Sequence, residues 1–165
     1  MNVYRNLKDK KVFITGKIES HNVRDFARIL NEIVTSKHPK DRGVLSLEGA
    51  EFGEMDPRTW LELWQPLRMV RENRKRGRSD DLKVAARIDF EGWGIVPVFK
   101  GTIFHGKVNF SASRFPAYTN FSDAKFYSEV TFNSSHFGEL TTFKGAEFKG
   151  KTNFDWSHFG FNANF

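Results

Sequence analysis

Many residues in this chain could do chemistry, but few stand at a spacing that would let them act together. Arg114, His136 and His158 recur at one interval. Stacked imidazoles can ligate a metal ion, yet two ligands are too few for a structural zinc site, and an arginine beside them opposes a cation. Asp80 with Asp81, or Glu48 with Glu51 and Glu54, would suit acid–base work, although carboxylates clustered in this way are ordinarily solvated surface. No serine–histidine–aspartate set, phosphate loop or paired-histidine metal motif is legible. The chain has no cysteine, which excludes disulfides, thiolate ligands and thiol nucleophiles. We therefore expect no enzymatic activity, no cofactor and no metal. One basic run remains: Arg68, Arg71, Arg74, Lys75, Arg76 and Arg78. It is the candidate partner-binding surface, since contacts to phosphates would bind in a salt-dependent way. Cations at a helix C-terminus also favour the helix dipole without any partner.

The elements that would position these residues show first in the aromatic usage, 18 Phe against 3 Tyr and 4 Trp. Such a bias suggests one geometric niche filled many times. From Phe99 onward phenylalanine recurs at 99, 104, 110, 115, 121, 126, 132, 137, 143, 148, 154, 159 and 165. The steps alternate five and six. A helix needs steps of three and four, and a simple amphipathic strand needs steps of two.

Flanking positions set the true period. Ser113, Ser135 and Ser157 fall on one line at a step of 22 residues. Asn109, Thr131 and Asn153 fall on a second, and Asn120, Thr142 and Asn164 on a third. Four short sides per turn make a quadrilateral tube, with layers about 4.8 Å apart. Phe99, Phe104, Phe110, Phe115, Phe121, Phe126, Phe132, Phe137, Phe143, Phe148, Phe154 and Phe159 would fill its axis. Asn and Thr before each Phe suit corners, where their side chains can bond nearby backbone. The sixth residue of alternate units should bulge one corner on opposite sides of each turn.

Segments such as Phe121-Ser-Asp-Ala-Lys-Phe126 and Phe143-Lys-Gly-Ala-Glu-Phe148 resemble the pentapeptide-repeat family in its phenylalanine-centred form. The resemblance implies a right-handed quadrilateral parallel β-helix of about three coils over residues 91–165. Some members of that family mimic duplex DNA and modulate type II topoisomerases. Mimicry needs a long acidic rod, and residues 99–165 carry seven Lys or Arg against five Asp or Glu.

Residues 1–90 read as an α/β domain. Lys11 to Ile18 predicts a strand. Ser20 or Asn22 would cap a helix carrying Val23, Phe26, Ile29, Leu30, Ile33 and Val34. Gly43 opens a second strand, Val44 to Phe52. Asp56-Pro57 starts a second helix, with Trp60, Leu63, Trp64, Leu67 and Val70, ending at Gly77. Leu82 to Phe90 is a third strand. The order β-α-β-α-β implies parallel strands. Gly43-Val-Leu-Ser-Leu-Glu-Gly-Ala-Glu-Phe52 leading into a helix, with Ile14-Thr-Gly-Lys-Ile18 before it, resembles the STAS fold. In that family a phosphorylatable serine follows the second of these strands. Here the turn is Gly53-Glu-Met-Asp-Pro57, so no such switch is expected. Lys11 to Gly16 with Trp60 resembles the BRCT fold in turn. A third reading joins the halves. Leu47-Glu-Gly-Ala-Glu-Phe52 matches Phe143-Lys-Gly-Ala-Glu-Phe148, so the N-terminal strands would be early layers of the same stack. On any of these readings the N-terminal part covers the first coil.

The formal charge is +6, which favours nucleic acid or an acidic partner at long range. No apolar run approaches the roughly 20 residues that cross a bilayer, and Met1 to Lys11 lacks the core of a secretion signal. We expect a cytoplasmic, non-catalytic protein-interaction or scaffold module of bacterial type, without a membrane partner. Trp156, Phe161 and Phe165 mark a candidate end-on interface, through which the solenoid would form a homodimer.

Overall fold

In the computed structural model, which describes residues 1–6, 8, 10–36, 43–68 and 87–165, the chain forms parallel and mixed β-sheets built mostly of short strands. Strands β1 (Asn2–Asn6) and β2 (Lys11–Thr15) pair antiparallel. In β2, Val12 and Ile14 are buried while Lys11, Phe13 and Thr15 face out, the alternation of a half-buried strand. Gly16 then takes a φ of +78°, a left-handed conformation that glycine adopts without steric cost. The single strand expected through Ile18 is thereby cut in two, and β3 (Lys17–Ile18) joins a different sheet.

A 3-10 turn over Ser20–Asn22 leads into α1 (Val23–Ser36). Glu19 and Asn22 cap that 3-10 turn reciprocally; of the two residues the sequence offered as a cap, Asn22 takes part. The helix buries Val23, Phe26, Ile29, Leu30 and Ile33, one face at helical spacing. The second expected strand is also two: β4 (Gly43–Ser46) and β5 (Glu51–Phe52), separated by a turn at Gly49, φ +68°. Helix α2 (Pro57–Leu63) starts where expected. Asp56 Oδ1 accepts the N–H groups of Arg58 and Thr59 at 2.9 and 3.1 Å, and proline holds the first helical position. The helix does not continue toward Gly77. Pro66 has no N–H to carry the ladder on, and the chain tightens into a 3-10 turn at Gln65–Leu67.

Of the third expected strand, residues 82–86 lie outside the described residues. Ile88 and Asp89 make single bridges to Arg68 and Arg114, and Phe90 sits in a turn with its ring in the core. The strand that pairs with β4 is instead β6 (Ile95–Val98), so residues 95–98 belong to the sheet.

Beyond β6 the chain runs through β7 (Ile103–Phe104), β8 (Val108–Asn109), β9 (Arg114–Phe115), β10 (Lys125–Phe126), β11 (Val130–Thr131), β12 (His136–Phe137), β13 (Glu147–Phe148), β14 (Thr152–Asn153) and β15 (His158–Phe159). The sheets are β1-β2-β4-β6, β3-β5-β7-β10-β13, β8-β11-β14 and β9-β12-β15. All pairings of named strands except β1–β2 are parallel. In the C-terminal part they step by 22 residues, as in Lys125↔Glu147, Val130↔Thr152 and His136↔His158. Bridges Val98↔Asn120↔Thr142↔Asn164 extend the first sheet at the same step. Two sheets cross position 90, through β4–β6 and β5–β7, and the buried apolar residues on both sides form one cluster.

Four columns of stacked rings run through that cluster. Phe99, Phe121, Phe143 and Phe165 stack at 4.7, 4.8 and 5.4 Å, within 10° of parallel. Phe104, Phe126 and Phe148 stack at 4.8 and 5.0 Å, and Phe52 precedes them at 5.0 Å. Phe90 heads the column of Phe115, Phe137 and Phe159 in the same way. The fourth column, Phe110, Phe132 and Phe154, has no phenylalanine before it. There Trp60 packs edge-on against Phe110 at 5.5 Å, and Trp64 packs tilted against it at 6.1 Å. Offset stacks and edge contacts at these distances add to the gain from burial alone. Each buried Phe contributes roughly 1.5–3 kcal/mol by burial.

The polar frame follows the columns. Ser135 and Ser157 donate through Oγ to the carbonyls of Phe110 and Phe132, and Thr102 donates to Leu47 C=O. Oδ1 of Asn109, Asn120 and Asn153 accepts the N–H two residues on. The six-residue units do not bulge alike. One set turns through positive φ at Tyr118, Leu140 and Asn162; the other carries β8, β11 and β14 instead. Both sets carry a glycine at a close approach. A Cβ on Gly138 would collide with the backbone of Pro116 and Ala117, and one on Gly150 with Ser128.

Candidate functional site

Ring stacking leaves no reacting group inside the columns: the interior is phenylalanine with small side chains, of which Thr102, Ser135 and Ser157 bond backbone carbonyls, while the buried Ser113 Oγ has no hydrogen-bond partner among the described residues. Chemistry-bearing side chains stand outside, on the columns that parallel pairing creates. His136 and His158 are neighbours, with ring centroids 6.2 Å apart, and Arg114 precedes them in register. Arg114 is engaged by Glu91, Nη2 to Oε2 at 2.7 Å. Among the described residues no three histidines or carboxylates gather at one point to hold a metal ion.

Lys125 and Glu147, one layer apart, form the ion pair their register suggests, at 3.3 Å. Lys149 reaches the same carboxylate at 2.8 Å. The hydrogen bond from Lys149, then that from Lys125, holds the Glu147 carboxyl below its ordinary value, and Glu147 raises Lys149 in return. An exposed pair of this kind positions surface charge and adds little to stability.

Of the basic run, Arg68 is described. It is partly buried, bridges to Ile88, and its Nε has no hydrogen-bond partner among the described residues. Arg71, Arg74, Lys75, Arg76 and Arg78 lie outside the described residues. Close by in sequence, Asp89 is fully buried. Its Oδ1 accepts the Gly92 N–H at 2.7 Å, and Arg87 Nη2 lies 4.0 Å from Oδ2. Composition and spacing gave no hint of this carboxylate. The C-terminal aromatics divide. Phe165 joins the Phe99 column, while Trp156 and Phe161, 83% and 80% exposed, stand in sequence on either side of the outward-facing His158.

A cleft between α2 and the β8–β11 face has a volume of about 240 Å³. Met55, Pro57 and Leu61 line one wall; Val108, Asn109 and Thr131 line the other, with Lys107 and Glu129 paired at 3.4 Å beside them. Trp60 holds the walls together, its Nε1 donating to the Asn109 carbonyl at 2.8 Å. The helical spacing of Trp60 and the 22-residue step from Lys107 to Glu129 are each legible in sequence. That they face each other is not. The cleft joins an apolar wall to a polar one and converges no nucleophile on an acid or base.

Among the described residues no helix is long and apolar enough to cross a membrane. No protein-family model, curated protein or solved structure matches the chain.

Proposed function

We propose that this chain is a non-catalytic protein-interaction module built on a right-handed quadrilateral β-helix of pentapeptide-repeat type. On this reading β2 to β5 are its first layers, and α1 and α2 are long crossovers between them. Parallel crossover connections are right-handed by strong preference. The pairings of β4 with β6 and of β5 with β7 support continuity of the stack over a separate STAS-like domain.

One observation carries the functional reading: the four ring columns occupy the interior, so binding falls to the outer columns and to the cleft beside α2. A stack of in-register layers presents side chains at fixed spacing, as a rigid docking surface requires. The test compares affinity capture by the wild-type chain, by Leu61→Asp in the cleft wall, and by Arg71, Arg74 and Arg76 all replaced with Glu. A protein held by the wild type and the triple variant but lost from Leu61→Asp supports the reading. Nucleic acid or an acidic partner lost only from the triple variant would transfer the function to the basic run.

A further inference from the structure

One end of the first sheet carries a strand edge that no described residue pairs with. β1 is terminal in the order β1-β2-β4-β6, and its inner edge is taken by β2. Which backbone groups point outward follows from hydrogen-bond alternation. The Val44 N–H donates to the Lys10 carbonyl at 3.0 Å. Residues 10, 12 and 14 therefore turn their backbone groups toward β4, and Lys11, Phe13 and Thr15 turn theirs toward β1. Opposite those three stand Asn6, Tyr4 and Asn2. The N–H and C=O groups of Val3 and Arg5 are left aiming away from the sheet.

The same strand exposes aromatic surface. Tyr4 is 79% exposed and Phe13 38%, and the two lie directly opposite each other on the outer face.

We propose that β1 pairs antiparallel with β1 of a second copy of this chain, about a two-fold axis through Tyr4. The two four-stranded sheets then become one. The register is self-complementary. Val3 meets Arg5 of the partner subunit and Arg5 meets the partner subunit's Val3, both as hydrogen-bonded pairs, so every outward group of these residues gains a partner. Like charges do not meet: Arg5 faces valine and is already held by Glu32 at 2.6 Å. Tyr4 meets its own copy across a close, non-hydrogen-bonded pair, with Phe13 beside each, and four exposed rings are covered together. An unrelated strand could satisfy the edge bonds. Only a second copy places the same exposed ring on the axis from both sides.

The experiment measures the mass of the full chain in solution by light scattering or sedimentation across concentration. Val3→Pro removes one outward N–H while leaving the β2 pairing intact. Tyr4→Lys sets two cations on the axis at a residue already exposed. Tyr4→Cys places one thiol in a chain that has none, within disulfide reach of its copy across such a pair. The wild type is expected to be a dimer whose melting temperature rises with concentration, Val3→Pro and Tyr4→Lys folded monomers whose melting temperature does not, and oxidised Tyr4→Cys a covalent dimer. If Val3→Pro fails to fold, Tyr4→Lys decides. A wild type monomeric up to about 100 µM overturns the proposal. So does a dimer that survives in the folded variants, which would put the contact elsewhere.

Discussion

The two parts of the chain solve one packing problem with different residues. In residues 95–165 each layer reuses phenylalanine in the same four columns. In residues 1–90 the equivalent places are held by Phe52, Phe90, Trp60 and Trp64, reached through α1 and α2. Both parts share sheets and one buried cluster. Strand register, more than residue identity, makes a layer. Parallel pairing sets the spacing, and any ring of the right reach can close a column.

The largest test of this comparison removes one ring from each part. Phe132→Ala and Trp64→Ala should each cost roughly 3–5 kcal/mol, because both open a cavity in a fully buried site. Denaturant unfolding of either variant should remain a single transition, as one shared core requires. Two separate transitions would break the comparison and make the halves independent units.

A smaller effect distinguishes the two uses of glycine. Gly138→Ala should cost about 1–3 kcal/mol, since its Cβ would overlap the backbone of the preceding layer. Gly49→Asp, in the N-terminal part, should be milder. Its φ is +68° with nothing close to the added carbon, and Asp123 already adopts a positive φ in a corresponding turn. If the two variants lose equal stability in thermal melts, layer spacing is not what Gly138 protects.

The smallest effects come from carboxylates whose folded values lie below their ordinary ones. The Thr59 side chain, followed by the backbone N–H groups at the start of α2, lowers Asp56; Lys149 and Lys125 lower Glu147. A depressed folded value adds stability above the ordinary carboxylate range, and that stability is lost as pH falls through the folded value. The melting temperatures of Asp56→Asn and Glu147→Gln should therefore lie slightly below wild type at neutral pH. They should converge with it as pH drops well below about 4. A gap independent of pH would mean that neither charge matters.

The ring columns were legible because a 22-residue period repeats the same residue types, and periodicity survives without any knowledge of contacts. For the same reason the Asn120 bond and the Lys125–Glu147 pair could be anticipated from their columns. Asp56-Pro57 was legible as a helix start because capping is local. The cut at Gly16, the stop before Pro66 and the placement of β6 were missed, since propensity averages over a break that a single residue imposes. The match between Leu47–Phe52 and Phe143–Phe148 gave a first sign of a shared stack.

The period, the identity of the repeating core and its polar corners are written in short-range spacing, and so can be read from the residues alone. Long-range pairing set the rest: Phe52 and Phe90 head two columns, Trp60 closes the cleft over Asn109, Asp89 is buried, and β1 keeps Val3 and Arg5 on an edge that no described residue pairs with. These depend on which distant segments come to pair. The excursions through α1 and α2 separate the paired strands by enough chain to erase the period, so their register is settled by packing.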